Sequence, residues 1–193
     1  MSWEQRQDER LENLLGAFAV ALGERLKKRM ADAAGCSPMG VAALEWLDRG
    51  HNLRPRDLVD ALEISPPGAS QLVRSLMAAG LVRRARYPHD QRQWALGLTE
   101  LGFRRLGRAA HARARLVSEI VRTIPFPWRL RLLRILERLL ARMVESQQAV
   151  TQLCRYCDWH RCRANAIEPC PVAIAWSELS TSRKRTEDLE WGG

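Results

Sequence analysis

Four of the five cysteines of this 193-residue chain fall between residues 154 and 170. They form the pattern Cys154-x2-Cys157-x4-Cys162-x7-Cys170, and Pro171 follows directly. In a reducing compartment, cysteines this close together are more typical of a metal site than of a disulfide framework. We therefore predict that Cys154, Cys157, Cys162 and Cys170 are metal ligands.

The spacing leaves the identity of the metal open. Structural zinc usually takes its cysteines as two closely spaced pairs, and only Cys154 and Cys157 form such a pair. Irregular gaps and a final Cys-Pro also occur in segments that bind iron–sulfur clusters. An iron–sulfur cluster is therefore slightly favoured over zinc. The alternative is four unligated cysteines that act as small apolar residues.

The chain is strongly basic, with a formal net charge of +9 and a pI near 10.2. This charge indicates a polyanionic partner, with nucleic acid first and an anionic membrane surface second. Four arginines, Arg83, Arg84, Arg86 and Arg92, are concentrated in the stretch "LVRRARYPHDQR". The alternating pattern around this stretch predicts a hairpin, and an arginine-rich hairpin tip fits the minor groove of DNA.

The elements before this hairpin are helical. Residues 8–30 carry apolar side chains at helical spacing, and three short helices follow, beginning near Pro38, Pro55 and Pro66. Two short helices joined by a tight turn are typical of a helix-turn-helix. The fold class that we predict is mainly α with a small β-hairpin: a winged helix-turn-helix domain plus a helical dimerisation domain.

The third short helix has a polar face that suits contact with DNA bases. Its predicted buried stripe consists of Leu72, Val73, Leu76 and Met77. Its opposite face carries Gly68, Ser70, Gln71, Arg74 and Ser75. Gln pairs well with adenine and Arg with guanine in the major groove, whereas a glycine lets the backbone approach a phosphate. A solvated surface helix would have a similar face.

The C-terminal half predicts two further helices, one from residue 99 or 100 to about residue 121 and a longer one over 128–153. Pro125 and Pro127 separate them. Both helices, and the first helix of the chain, have apolar faces too wide for solvent, so we expect a second copy of the chain to cover them. The polar stretch 173–193 predicts a loose tail.

Three short motifs give the sequence a recognisable resemblance. "GLV" (80–82), the pair Asp90-x-Arg92 and "LGLTELG" (96–102) resemble the wing and flanks of the MarR family of winged helix-turn-helix transcriptional regulators. "DLVDALEISPPGASQLVRSL" (57–76) is similar to the two reading helices of that family. The resemblance covers roughly residues 10–150.

This resemblance implies a DNA-binding regulator rather than an enzyme. It implies a homodimer on a pseudo-palindromic operator in double-stranded DNA, and we expect a repressor. Carried over by position, Arg92 enters the minor groove, and Ser70, Gln71 and Arg74 face the major groove. The position of Asp90, two residues before Arg92, separately suggests that it holds a neighbouring arginine in place. Pro66-Pro67 and Ser70-Gln71 depart from the usual pattern of the family, so the base preference stays open.

The predicted organisation has five parts: an N-terminal dimerisation helix (1–36), the DNA-binding domain (37–99), C-terminal dimerisation helices (100–153), a four-cysteine segment (154–172) and the tail (173–193). The charged N-terminal residues are unlike a signal peptide, and no apolar run is long enough to span a bilayer, so we expect a cytoplasmic protein without a membrane partner.

Two hypotheses concern how the regulator is controlled. In the first, the four-cysteine site senses redox state or metal supply. In the second, a small-molecule effector binds a crevice near Met39, Trp46 and Trp128, and the cysteine site is purely structural. An enzyme that uses His89 and Asp90 as an acid–base pair is disfavoured, because an exposed turn does not exclude water.

Overall fold

The computed structural model describes residues 2–49, 53–87, 90–157 and 169–190. The chain divides into two compact units, Met1–Ser118 and Glu119–Gly193. The elements are α1 (Trp3–Ala34), α2 (Pro38–Arg49), α3 (Pro55–Leu62), α4 (Pro66–Ala78), β1 (Val82–Tyr87), β2 (Asp90–Leu98), α5 (Glu100–Arg122), α6 (Phe126–Arg142), α7 (Gln147–Tyr156) and α8 (Pro171–Glu190). This is the predicted fold class, mainly helical with one small hairpin.

The predicted starts of the short helices are confirmed at atomic level. The Ser37 hydroxyl accepts a hydrogen bond from the Gly40 N–H at 3.0 Å, and the Ser65 hydroxyl accepts one from the Gly68 N–H at 3.2 Å. Each serine thereby satisfies a backbone donor that the first helical turn leaves unpaired, while proline follows at the position that needs no donor. Local sequence signals alone therefore fix where α2 and α4 begin.

The core of the first unit lies where α2, α3 and α4 meet the hairpin. Leu44, Leu58 and Leu96 are its largest fully buried side chains, one each from α2, α3 and β2. The strands pair antiparallel, with Val82 opposite Leu98, and Leu53 adds a bridge through the Leu96 N–H, which donates to its carbonyl at 2.6 Å. This packing fixes the hairpin beside α4.

The long helix predicted over 128–153 is two helices. α6 ends at Arg142 and α7 begins at Gln147, because Ser146 caps the new helix by accepting a hydrogen bond from the Ala149 N–H at 3.1 Å. The serine hydroxyl takes a backbone N–H that would otherwise donate to a carbonyl of a continuous helix, and this interrupts the helix. The four-cysteine segment consequently begins inside a short helix rather than after a long one.

The predicted loose tail is also wrong over most of its length, because α8 occupies Pro171–Glu190. Val172 is buried with Val144 and Leu153, and Trp176 packs against the same cluster. These apolar residues near the start of the segment pack against α7 and the residues before it. The prediction missed this packing because the rest of the segment is polar. In the described part of the chain, no helix combines the length and apolar character needed to cross a membrane.

Candidate nucleic-acid interface

The polar face predicted for α4 is exposed. Ser70, Gln71, Arg74 and Ser75 all lie on the solvent side of this helix. The buried stripe consists of Ala69, Val73 and Leu76, at positions i, i+4 and i+7. Met77, predicted to be buried, is 37% exposed, whereas Ala69 takes a core position that the prediction omitted. α4 therefore presents short and hydrogen-bonding side chains along the face away from the core.

The charge of Arg74 is uncompensated. Among the described residues, no ion pair involves Arg74. A guanidinium without an acidic partner keeps all five donors for an acceptor from another molecule. Its planar fork matches two acceptors on guanine or the oxygens of a phosphate.

Gly68 has a structural reason to be glycine. Its N–H is used by the Ser65 cap, and a Cβ at this position would lie 3.2 Å from the Ser65 Oγ. The close contact between helix start and cap therefore favours the smallest residue. The approach of Gly68 to a phosphate stays a prediction.

The hairpin holds two of its arginines on one tryptophan. The Arg86 guanidinium carbon lies 4.2 Å from the centroid of the Trp94 ring, and that of Arg84 lies 5.5 Å from it. Arg86 and Trp94 are direct cross-strand partners, so the register of the hairpin creates the contact. Each such cation–π contact at an exposed site stabilises by about 0.5–1 kcal/mol.

Trp94, Leu96 and Leu98 share one face of β2 by the alternation of the strand, but the three side chains are not equally buried. Leu96 and Leu98 are buried, but Trp94 is 40% exposed because this face of the hairpin continues past the edge of the core. Arg83 points to the opposite face by the alternation of the strand and is exposed as well. The structure thus groups Arg84 with Arg86 and separates Arg83 from them.

The tip of the hairpin is described only in part. The backbones of Asp90 and Arg92 belong to β2, while their side chains, and all of Pro88 and His89, lie outside the described residues. The roles predicted for Asp90 and Arg92 therefore stay predictions.

The motif "LGLTELG" joins α4, the hairpin and α5. The Thr99 hydroxyl donates to the Gly80 carbonyl at 2.6 Å and accepts from the Gly102 N–H at 3.0 Å. Gly80 ends α4 in the left-handed region, with φ of 69°. One threonine therefore connects the end of α4 to the start of α5. The sequence indicates this role only through the preference of helix N-caps for Ser and Thr.

We expect Trp94→Ala to lower affinity for duplex DNA about 5- to 30-fold, which corresponds to the loss of two cation–π contacts. Arg84 and Arg86 are still present in this variant, but the ring that holds their guanidinium groups is gone. Both side chains must therefore be ordered when DNA binds, which costs conformational entropy. Fluorescence anisotropy with a labelled duplex measures the change. Trp94→Phe, which keeps an aromatic ring, should retain most of the affinity. Equal affinity for the alanine variant and the parent chain would show that the stacking has no role.

Residues 35–93 match the family model described as MarR family. Among solved structures, a MarR family protein from Bacillus stearothermophilus is 23% identical, with 75% of this chain and 99% of that chain covered and a TM-score of 0.63. The YusO protein from Bacillus subtilis is 18% identical, with 72% and 97% covered and a TM-score of 0.62. A mutant of S. aureus MepR, bound to an oligodeoxyribonucleotide, is 17% identical, with 68% and 96% covered and a TM-score of 0.56.

No curated protein sequence matches this chain. The similarity to these solved structures shows that the chain has a winged helix-turn-helix fold.

Proposed function

We propose that this chain, with the fold of the MarR-family regulators, is a DNA-binding transcriptional regulator that acts as a homodimer on a pseudo-palindromic operator. The main support for the proposal is that the first unit carries both a polar helix face and an arginine-bearing hairpin. α4 exposes Ser70, Gln71 and an uncompensated Arg74, and the hairpin directly after it holds Arg84 and Arg86 on its exposed surface. Polar side chains for base edges next to cations for phosphates are what duplex recognition needs.

In this proposal α4 enters the major groove. The three polar side chains lie in the N-terminal and central turns of the helix, the part of a recognition helix that reaches base edges. The hairpin lies along the neighbouring minor groove, where the negative potential attracts arginine. Each good bidentate contact between side chain and base is worth about 1–3 kcal/mol of discrimination.

Two exposed apolar faces support the dimer. On α1, Leu11, Leu14, Leu15 and Phe18 are each half or more exposed. On α6, Leu133, Leu136 and Leu139 are between 42% and 48% exposed, and Met143 at the C-cap is 57% exposed. The helix has no buried residue among those described. Contiguous apolar surface of this extent marks an interaction site. A second copy supplies an identical pair of faces, and two-fold symmetry then sets two copies of α4 at a fixed separation.

A symmetric dimer reads two half-sites about one helical turn apart, so the operator should be a pseudo-palindrome. We expect repression, because a dimer that covers the operator excludes other proteins from the same stretch of duplex.

The test is Arg74→Ala, measured on a duplex that the parent chain selects from a random pool. Loss of one bidentate base contact should weaken binding to that duplex about 5- to 100-fold, with a much smaller change on unrelated DNA. Lys27→Ala removes a positive charge from an exposed position of α1 that lies opposite its apolar face by helical spacing, and serves as the control. The proposed reading of bases fails if the two variants lose affinity equally on both duplexes.

The four-cysteine segment supports the first hypothesis for control, in which a metal or redox signal alters operator affinity. Cys162 lies outside the described residues, so the predicted set of metal ligands stays a prediction. The double variant Cys157→Ser/Cys162→Ser separates this role from a structural one. Operator affinity that matches the parent chain both in air and without oxygen would exclude the sensor.

One observation favours the small-molecule alternative. The buried indole nitrogen of Trp46 has no hydrogen-bond partner in the described part of the chain, and an unsatisfied donor of this kind suits an oxygen-bearing ligand. Met39 and Trp46 lie on α2, whereas Trp128 lies on α6 of the other unit, so the predicted crevice stays a prediction.

A further inference from the structure

A row of basic side chains runs along α5 on the side that faces solvent. Arg104, Arg108, His111 and Arg115 follow one another at intervals of three or four residues, and all four are exposed. Because an α-helix has 3.6 residues per turn, these positions fall within about 60° of the helix circumference. These four residues form the α5 basic stripe.

The opposite face of α5 is buried, which fixes the direction of the stripe. The buried residues of this helix are Gly102, Leu106, Ala109 and Leu116. Leu106 belongs to the core that α5 shares with α2, α3, α4 and the hairpin. Ala109 packs with Ala34 of α1 and Val41 of α2. Because this packing prevents α5 from turning about its axis, the stripe is held in solvent.

The charge of the stripe is largely uncompensated. No acidic residue occurs in the sequence between positions 101 and 118. Arg104 pairs with Glu100, and the other three side chains of the stripe form no ion pair or hydrogen bond with another described residue. Each free guanidinium keeps five donors, and a histidine has at least one N–H in either charge state. The stripe therefore offers a line of donors to a partner with regularly spaced acceptors.

We propose that the α5 basic stripe binds the phosphate backbone of a second segment of DNA, separate from the segment that α4 reads. The stripe extends over about 16 Å, at about 1.5 Å of rise per residue. One DNA strand presents a phosphate about every 3.4 Å of duplex axis, so a backbone that lies along the stripe brings a phosphate within reach of each of its side chains. The inference rests on the proposed function, because α4 holds the first segment.

The start of α5 lies away from the surface that contacts the first segment. The Thr99 hydroxyl, directly before α5, donates to the carbonyl of Gly80 at the C-terminal end of α4, whereas the polar residues of α4 lie in its earlier turns. Val82 and Leu98 pair at the end of the hairpin opposite its tip. Arg104 follows one turn into α5. Because bending so short a stretch of duplex is costly, we expect the second segment to come from a distant part of the same DNA or from another molecule.

The stripe also differs from the faces assigned to the subunit interface. The faces on α1 and α6 are apolar, whereas two stripes placed against each other across a two-fold axis would repel. A dimer carries two stripes, which together hold a second duplex more strongly than either one alone. The regulator would therefore bridge two stretches of DNA.

The test is the capture of a second duplex. The operator duplex is fixed to beads, saturated with the parent chain and washed. A fluorescent duplex of unrelated sequence is then added at about 50 mM salt, where surface charges are weakly screened. We expect the parent chain to capture the labelled duplex. Arg108→Gln/Arg115→Gln should stay on the operator to within about 2-fold but capture about 10-fold less of it, because two phosphate contacts per chain are lost.

Lys27→Gln/Lys28→Gln is the matched control, since it removes the same charge from exposed positions of α1 and should capture the labelled duplex as the parent chain does. A parent chain that binds the operator but captures nothing would overturn the inference and leave the proposed function intact. Equal loss of capture in both double variants would also overturn it, because net charge rather than the stripe would then hold the duplex.

Three further outcomes separate this inference from its alternatives. If the parent chain does not bind the operator, the proposed function fails, and anisotropy of the free chain with the labelled duplex tests the stripe alone. Unchanged affinity of Arg108→Gln/Arg115→Gln in that assay would contradict the inference. A monomeric mass of this variant would place a second subunit on the stripe, and capture of an RNA duplex but not of DNA would assign the stripe to RNA. Either result would refute binding of a second DNA segment.

Discussion

Replacing Gly102 with alanine is expected to lower the free energy of unfolding by about 2–4 kcal/mol. A Cβ at this position would lie 2.1 Å from the carbonyl oxygen of Leu81, far inside any tolerable contact. The oxygen belongs to the backbone and already accepts the Thr99 N–H at 3.0 Å. The Leu81 oxygen can move away only if the contact between the start of the hairpin and the start of α5 is broken.

Gly107→Ala is the matched control, because it makes the same change in the same helix. No atom lies within 4 Å of a Cβ built at Gly107. This substitution should stabilise the protein by about 0.5–1 kcal/mol through the better helix propensity of alanine. Urea unfolding followed by circular dichroism compares the two. Similar stability of both variants would show that the close approach at Gly102 is relieved at no cost.

Leu136→Glu is expected to convert the proposed dimer into a monomer and to weaken operator binding about 100-fold or more. Leu136 lies at the centre of the apolar face of α6 and is 46% exposed in the isolated chain. A second subunit would bury this position, and a buried carboxylate without a partner is costly. Loss of the dimer then removes the avidity of two linked reading heads, which is commonly a factor of about 10²–10⁴.

Light scattering after size-exclusion chromatography measures the mass of the variant, and anisotropy measures its binding to the operator duplex. Arg134→Gln changes a charged residue on the other side of the same helix and should leave the dimer intact. A Leu136→Glu chain that stays dimeric would place the subunit interface elsewhere.

The parts of the fold that depend on local chemistry could be predicted from the sequence. Ser37 and Ser65 cap their helices as the Ser-Pro pairs indicate, and the change from helical to alternating periodicity after Gly80 locates the hairpin. The exposed face of α4 could also be predicted, because its polar residues recur at helical spacing.

The parts of the fold that depend on contacts between residues distant in sequence could not be predicted. The strand pattern places Trp94 on the same face as the buried Leu96. Because the core does not extend as far as Trp94, its ring is partly exposed and contacts two arginines instead. Gly102 gives no local sign of its contact with Leu81. The helical part of 173–190 was missed because Val172 and Trp176 pack against residues far away in the sequence. Tertiary contacts, rather than propensity, decide these cases.

The most direct measurement is the affinity of the purified parent chain for its selected duplex over a range of salt concentrations, with the mass of the complex determined in parallel. If each of two reading heads neutralises roughly four phosphates, the log–log slope of affinity against salt is about −7, at about −0.9 per phosphate. We predict this slope together with two chains per duplex. A slope near zero, or a single chain bound at saturation, would contradict DNA recognition by a two-headed dimer.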